Sequence, residues 1–154
     1  NFIATFGEAN DMNLLLYGPT GLGKTFLSHA IAAELMAAGK SVVYETAFGL
    51  VRIFEEKTFN RDATDEMKMA YDSLFSADLL IIDDLGTELT NSFTNSQLFN
   101  IVNSRMIDGK KMIISTNLSP RELSAVYGDR IFSRIFHKFV PMAFFGKDLR
   151  WEAE

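Results

Sequence analysis

The chain contains no cysteine, so disulfides and thiolate-ligated zinc are both closed to it, and a reducing compartment is permitted. Histidine is nearly as scarce. His29 and His137 are the only two and lie far apart, which argues against a structural metal centre built on imidazole. No apolar run approaches the roughly 20 residues that cross a bilayer, and no basic-then-apolar leader precedes the fold. A cytoplasmic protein without a membrane partner is the expectation. Repeats, low-complexity tracts and Pro/Gly/Ser-rich linkers are also missing, so the 154 residues read as one domain. The first residue is Asn1 rather than Met, which is consistent with a fragment that lacks an upstream region. Basic charge is in deficit, with 15 Lys and Arg against 20 Asp and Glu. A net charge of −5 argues against a protein that coats nucleic acid with its whole surface. Residues 121–150 reverse the balance through Arg121, Arg130, Arg134, Lys138, Lys147 and Arg150. That surplus suits either a solvated face or one that meets an anion.

What is present is a regular alternation of apolar runs and helical periods. "MNLLLYG", "SVVYE", "DLLIIDDLG", "KMIISTN" and a segment near 138–144 read as buried strands. Helical spacing is expected over 25–38, 48–57, 62–76, 94–108 and, as a short helix, 129–136. A further helix starts at "SPREL", where Ser119 caps, Pro120 takes the first helical position and Glu122 completes a capping box. Strands alternating with helices imply an α/β fold with a mostly parallel sheet covered on both faces, and a ligand site beyond the carboxyl ends of the strands.

The segment Gly18-Pro19-Thr20-Gly21-Leu22-Gly23-Lys24-Thr25, followed by Phe26, lies between the first strand and the first helix. It satisfies G-x-x-x-x-G-K-[ST] in the context that motif requires. A polyphosphate must be wrapped by backbone N–H groups, and glycines clear side chains from the curl while the helix turns its positive end to the anion. Lys24 is expected to bridge the β- and γ-phosphates of ATP, and the Thr25 hydroxyl to ligate Mg2+. The plain alternative is a glycine-rich loop that matches by chance.

A second motif, "LLIIDD", puts two carboxylates at the mouth of a buried strand. Asp83 fits the magnesium-side carboxylate, and Asp84 is placed either to polarise an attacking water or merely to cap the following turn. "STN" ends another strand at Asn117, whose amide can orient a water or simply form a turn. Arg130 and Arg134, four apart in "GDRIFSRIF", share one helix face. They either solubilise that face or offer a guanidinium to a phosphoryl group.

These elements in this order resemble an AAA+ ATPase. More narrowly, "NLLLYGPTGLGKTFLSHAIA", "ADLLIIDDLGTE", "IISTNL", "YGDRIFSRI" and "FGKDLR" are similar to bacterial helicase loaders of the DnaC/DnaI type and to the transposition helper ATPase IstB. The resemblance runs from about residue 6 to 150. It implies a P-loop NTPase of three α/β/α layers around five strands, with the whole of 1–154 as one AAA+ domain. Residues 18–26 then bind ATP, Thr25 and Asp83 serve Mg2+, Asp84 takes the catalytic-carboxylate place and Asn117 the sensor place. Arg134 takes the place of a finger acting on a neighbouring subunit, with Arg130 beside it and Arg150 a phosphate sensor in the terminal motif. Asp84 departs from the Asp-Glu of typical AAA+ proteins by one methylene. The loaders also grip single-stranded DNA with a helical insertion, which here spans 47–77. Phe59, in the polar hinge "KTFNRD", and Lys57 are its candidate DNA contacts, and Phe93, ten residues beyond Asp83, is a further one, while Phe48, Val51 and Phe54 have the spacing of buried positions. The implied function is slow, assembly-dependent ATP hydrolysis on single-stranded DNA that helps load a replicative helicase. Two alternatives are a transposition helper on duplex DNA and a nucleotide-gated interaction module with incidental turnover.

Overall fold

The computed structural model describes residues 2–8, 12–88 and 90–148. Among the described residues, five strands and five helices follow one another. They are β1 (Asn13–Tyr17), α1 (Lys24–Ala37), β2 (Val42–Thr46), α2 (Ala47–Phe59) and α3 (Asp65–Ser76), then β3 (Leu79–Leu85), α4 (Ser92–Ile107), β4 (Lys111–Thr116), α5 (Pro120–Lys138) and β5 (Phe139–Ala143). The strands form one sheet in the order β2-β3-β4-β1-β5, and every pairing is parallel. The sequence implied a mostly parallel sheet; the described strands contain no antiparallel pair.

Side chains of a strand alternate between faces, and that alternation sorts the core into two layers. Leu14, Leu16, Leu79, Ile81 and Ile113 turn to α1 and pack on Ile31 and Leu35. Leu15, Leu80, Ile82, Met112 and Ile114 turn the other way, onto Phe54 of α2, Leu74 of α3, Leu98 and Ile101 of α4, and Ile131 and Ile135 of α5. Each such side chain contributes roughly 1.5–3 kcal/mol when removed from water. The helices therefore lie α1 on one face and α2–α5 on the other. Because β1 feeds α1 and the adjacent β4 feeds α5, the connections leave in opposite directions between those two strands. A crevice opens there, at the carboxyl edge of the sheet.

Beyond shifts of one or two residues, the boundaries differ from the sequence reading at α3 and α5. Residues 62–64 lie outside α3, whose cap is Thr64 accepting from the Met67 N–H. The short helix expected over 129–136 is the second leg of α5, which bends at Gly128 (φ 80°, ψ 167°). Glycine is required at that bend because an L side chain disfavours this backbone region.

Candidate functional site

The loop between β1 and α1 is shaped by glycines at positive φ: Gly18 at 138°, Gly21 at 81° and Gly23 at 94°. The same glycines admit a close neighbour. A Cβ on Gly18 would stand 2.4 Å from the Phe144 carbonyl oxygen, and one on Gly21 would stand 2.0 Å from the Asp148 carboxylate. The segment after β5 thus crosses directly against the loop. α1 follows Gly23 at its N-cap, with neither a side-chain cap nor an acid in its first turn, whereas α2–α5 are capped by Thr46, Thr64, Asn91 and Ser119. Its first N–H groups have no internal helical partner, which favours an anion. Lys24 is only 5% exposed. Its ammonium donates to the Gly18 carbonyl at 2.6 Å and the Pro19 carbonyl at 2.7 Å. Burial pulls its pKa down, and the charges of Asp84 and Asp83 oppose that shift. Thr20, Gly21, Gly23, Lys24, Thr25, Phe26, Asp84 and Asn117 line one open cleft of about 520 Å³.

Asp83 sits beneath this cleft, 2% exposed. Alternation along β3 puts it on the α1 face with Leu79 and Ile81, and so beside the first turn of α1. The Thr25 hydroxyl donates to its Oδ2 at 2.9 Å. Tyr44 donates to the same oxygen, and Ser115 donates to Oδ1. Burial pushes the Asp83 pKa up, but the bonds from Ser115, Tyr44 and Thr25 outweigh it and hold the carboxyl below its usual value. Asp84 is the only described non-glycine residue at positive φ, at 57°. The β3–β4 register slips between Ile82 and Leu85, and the slip turns Asp84 into the cleft instead of across the sheet. Its N–H donates to Ser115 Oγ and to Asp83 Oδ1, both at 3.1 Å. Burial first, then the neighbouring Asp83 charge, raises the Asp84 pKa, against the pull of Lys24. Asn117 follows β4, whose end is tied to β3 by Thr116 Oγ1 donating to the Leu85 carbonyl at 2.6 Å.

The residues fit a magnesium nucleotide. A hydroxyl and a carboxylate side by side are hard oxygen donors, and Mg2+ ordinarily takes one or two protein carboxylates plus phosphate oxygens and water. Among the described residues no cluster of three or more His, Cys, Asp or Glu could hold a metal without such help.

Residues 4–143 match the family described as IstB-like ATP-binding protein. The chain belongs to this family. It has the AAA+ P-loop fold, and its relatives include replication proteins. It is 37% identical over 123 residues to the chromosomal replication initiator protein DnaA of Gluconobacter oxydans, covering 79% of this chain and 25% of the initiator. It is 28% identical over 128 residues to the replicative helicase loader DnaC of Escherichia coli, covering 83% of this chain and 51% of the loader. The chain therefore spans about a quarter of the one relative and about half of the other. Among solved structures, replication initiator DnaA bound to AMPPCP and single-stranded DNA superposes with a TM-score of 0.78 at 22% identity, covering 95% of this chain and 44% of that one.

In this IstB-like chain the two arginines stand apart from the phosphate loop. Arg130 and Arg134 lie over the Phe99 ring, at 4.5 and 5.9 Å from its centre. They line a separate cleft of about 580 Å³ with Asp129, Ser133, His137 and Lys138. α5 starts beyond the carboxyl end of β4 and ends at the amino end of β5. Arg134 is near its finish, away from the edge that carries Lys24. Phe59 is the last residue of α2 and not part of a hinge, because the helix runs two residues further than "KTFNRD" suggested. It is 68% exposed, and its ring lies 5.0 Å from that of half-buried Phe93. Lys57 rests over the Tyr71 ring at 5.7 Å. Phe54 is buried as expected, but Phe48 is 69% exposed, so the helical spacing misassigned it. Arg150 lies outside the described residues.

Sequence reasoning missed Tyr44 and Ser115. Both lie on the α1 face of the strands that flank Asp83, with Tyr44 beside Ile81 and one inward position before Thr46, which pairs with Asp83. It also missed Arg105, a fully buried guanidinium on α4 that donates to carbonyls of Leu74, Phe75, Ala77 and Lys111.

Proposed function

We propose that this chain is the ATP-hydrolysing module of a DNA-replication protein of the helicase-loader kind, working as an assembly on single-stranded DNA. The observation that carries the reading is the convergence of Lys24, Thr25, Asp84 and Asn117 on one cleft, with Asp83 held behind Thr25. ATP places its phosphates against the loop amides and the open start of α1, and Lys24 exchanges the Gly18 and Pro19 carbonyls for phosphate oxygens. Thr25 and Asp83 would hold Mg2+, which when bound would supply positive charge to the phosphates. Asp84 accepts a proton from the water that attacks the γ-phosphorus while the bond to the bridging oxygen breaks, and its raised pKa suits a base. Asn117 orients that water. Arg134, with Arg130 beside it, meets the nucleotide of the next subunit, because α5 carries both away from their own phosphate loop. A head-to-tail contact of this kind builds rings or filaments. Phe59, with Phe93 and Lys57, offers an aromatic and basic surface to unpaired bases. The replicative helicase is engaged through another part of the protein.

The test is a mixing experiment. Lys24→Ala and Arg134→Ala should each lose DNA-stimulated turnover, by about 10³-fold for the arginine. An equal mixture should recover part of it, since the first variant lends an intact Arg134 to the intact cleft of the second. Arg134→Ala that keeps wild-type turnover would refute action in trans. The family match favours one second reading, a transposition helper on duplex DNA. Tighter binding to duplex than to single strands, compared at equal salt, would select it.

A further inference from the structure

Asp83 is held by hydroxyls from three other elements, and only Thr25 belongs to a phosphate-loop motif. The other two come from the flanking strands. β2 pairs with β3 so that Tyr44 stands beside Ile81 and Thr46 beside Asp83. With a period of two, Tyr44 and Asp83 face α1 together, Tyr44 leaning along the strand direction toward the carboxylate. Its ring is fixed from the other side by His29, one turn after Thr25 on α1, with ring centres 4.6 Å apart. The phenol is therefore clamped between α1 and the sheet, and its hydroxyl donates to Asp83 Oδ2.

Two donors now share that oxygen. Thr25 Oγ1 approaches at 2.9 Å and Tyr44 from the opposite strand, so the carboxylate cannot rotate about its χ2 without losing one. Ser115 and the Asp84 N–H fix Oδ1 in the same way. A phenol is suited to this post because its single O–H reaches Asp83 from a ring held between α1 and the sheet. We infer that Tyr44 is a positioning residue for the magnesium site, setting the orientation of Asp83 from outside the motifs and so tuning the affinity for Mg2+ when nucleotide is bound. This rests on the reading of the cleft as a magnesium-nucleotide site.

The experiment titrates Mg2+ against the affinity for a fluorescent ATP analogue, starting in EDTA, with wild type and Tyr44→Phe. Phenylalanine keeps the ring against His29 and α1 and removes only the donor. Loss of a partner behind a metal ligand typically weakens the metal by about 10–100-fold. The Mg2+ concentration at half-effect should accordingly rise about tenfold or more, while analogue affinity in EDTA stays at the wild-type value. A purely structural role would weaken binding equally in both conditions, and that parallel loss would overturn the proposal. So would an unchanged Mg2+ midpoint. Ser115→Ala, which frees the other oxygen, should shift the midpoint in the same direction and covers the case of a poorly folded Tyr44→Phe. If wild type takes up the analogue but shows no Mg2+ dependence, the magnesium reading falls and Tyr44 with it. If wild type shows the Mg2+ dependence and Tyr44→Phe leaves its midpoint unmoved, the site stands and the inference alone is lost.

Discussion

Replacing Arg105 with methionine tests the most unusual feature of the interior. The guanidinium is fully buried. It donates to the Leu74, Ala77 and Lys111 carbonyls at 2.8, 2.8 and 2.9 Å and to that of Phe75 at 3.1 Å. It thus closes the end of α3 and ties it to the starts of β3 and β4. Burial lowers its pKa to about 10, against the opposing charges of Asp78 and Asp108, so it is still a cation at neutral pH. Bonds to a charged donor contribute about 1.5–3 kcal/mol each, but the desolvated cation costs several kcal/mol in return. Removing the donor takes the charged partner from four carbonyls, and breaking a buried charged cluster on one side costs about 3–5 kcal/mol. That is a large part of a total stability of roughly 5–15 kcal/mol, and should lower Tm by roughly 10 °C. Urea unfolding followed by circular dichroism should show a lower midpoint at unchanged slope. Lysine should rescue little, since one ammonium does not span the same carbonyls. A loss below about 1 kcal/mol would mean that the bonds only offset desolvation, and would refute the reasoning.

The Asp78 pKa is held down by the Ser41 N–H and then its hydroxyl, with Lys110 assisting. A depressed carboxyl stabilises fully above its unfolded pKa of about 3.9, and the contribution fades as pH falls through the folded value. The stability gap between wild type and Asp78→Asn should therefore be present at pH 7 and close in acid; a constant gap would contradict this assignment. Phe59→Ala should weaken binding to single-stranded DNA by about tenfold, since stacking on one base is worth about 1–3 kcal/mol. Unchanged affinity in fluorescence anisotropy would remove the aromatic pair from the interface.

The sheet and the phosphate loop were legible because they are local. Apolar runs ending in glycine or aspartate, a capping box at Ser119, and the spacing from Gly18 to Thr25 each depend on neighbours in sequence. The same locality explains the failures. Phe48 and Phe54 share a helical period, but what α4 and α5 cover decides that one is buried and the other exposed. Tyr44 and Ser115 meet Asp83 only after strands β2, β3 and β4 align in register. Arg105 was invisible because its partners are backbone carbonyls of other elements, which carry no residue signature. Asp84 stood out as a carboxylate at a strand mouth, yet its turn into the cleft comes from a register slip that pairing alone reveals.

The central claim is that the loop from Gly18 to Thr25 holds the phosphates of a magnesium nucleotide. Calorimetric titration of ATP with Mg2+ into the protein measures this directly. Wild type should bind with a single-site isotherm, and Lys24→Ala should give no binding heat while keeping its fold by circular dichroism. No uptake by wild type, or equal uptake by the variant, would contradict the account.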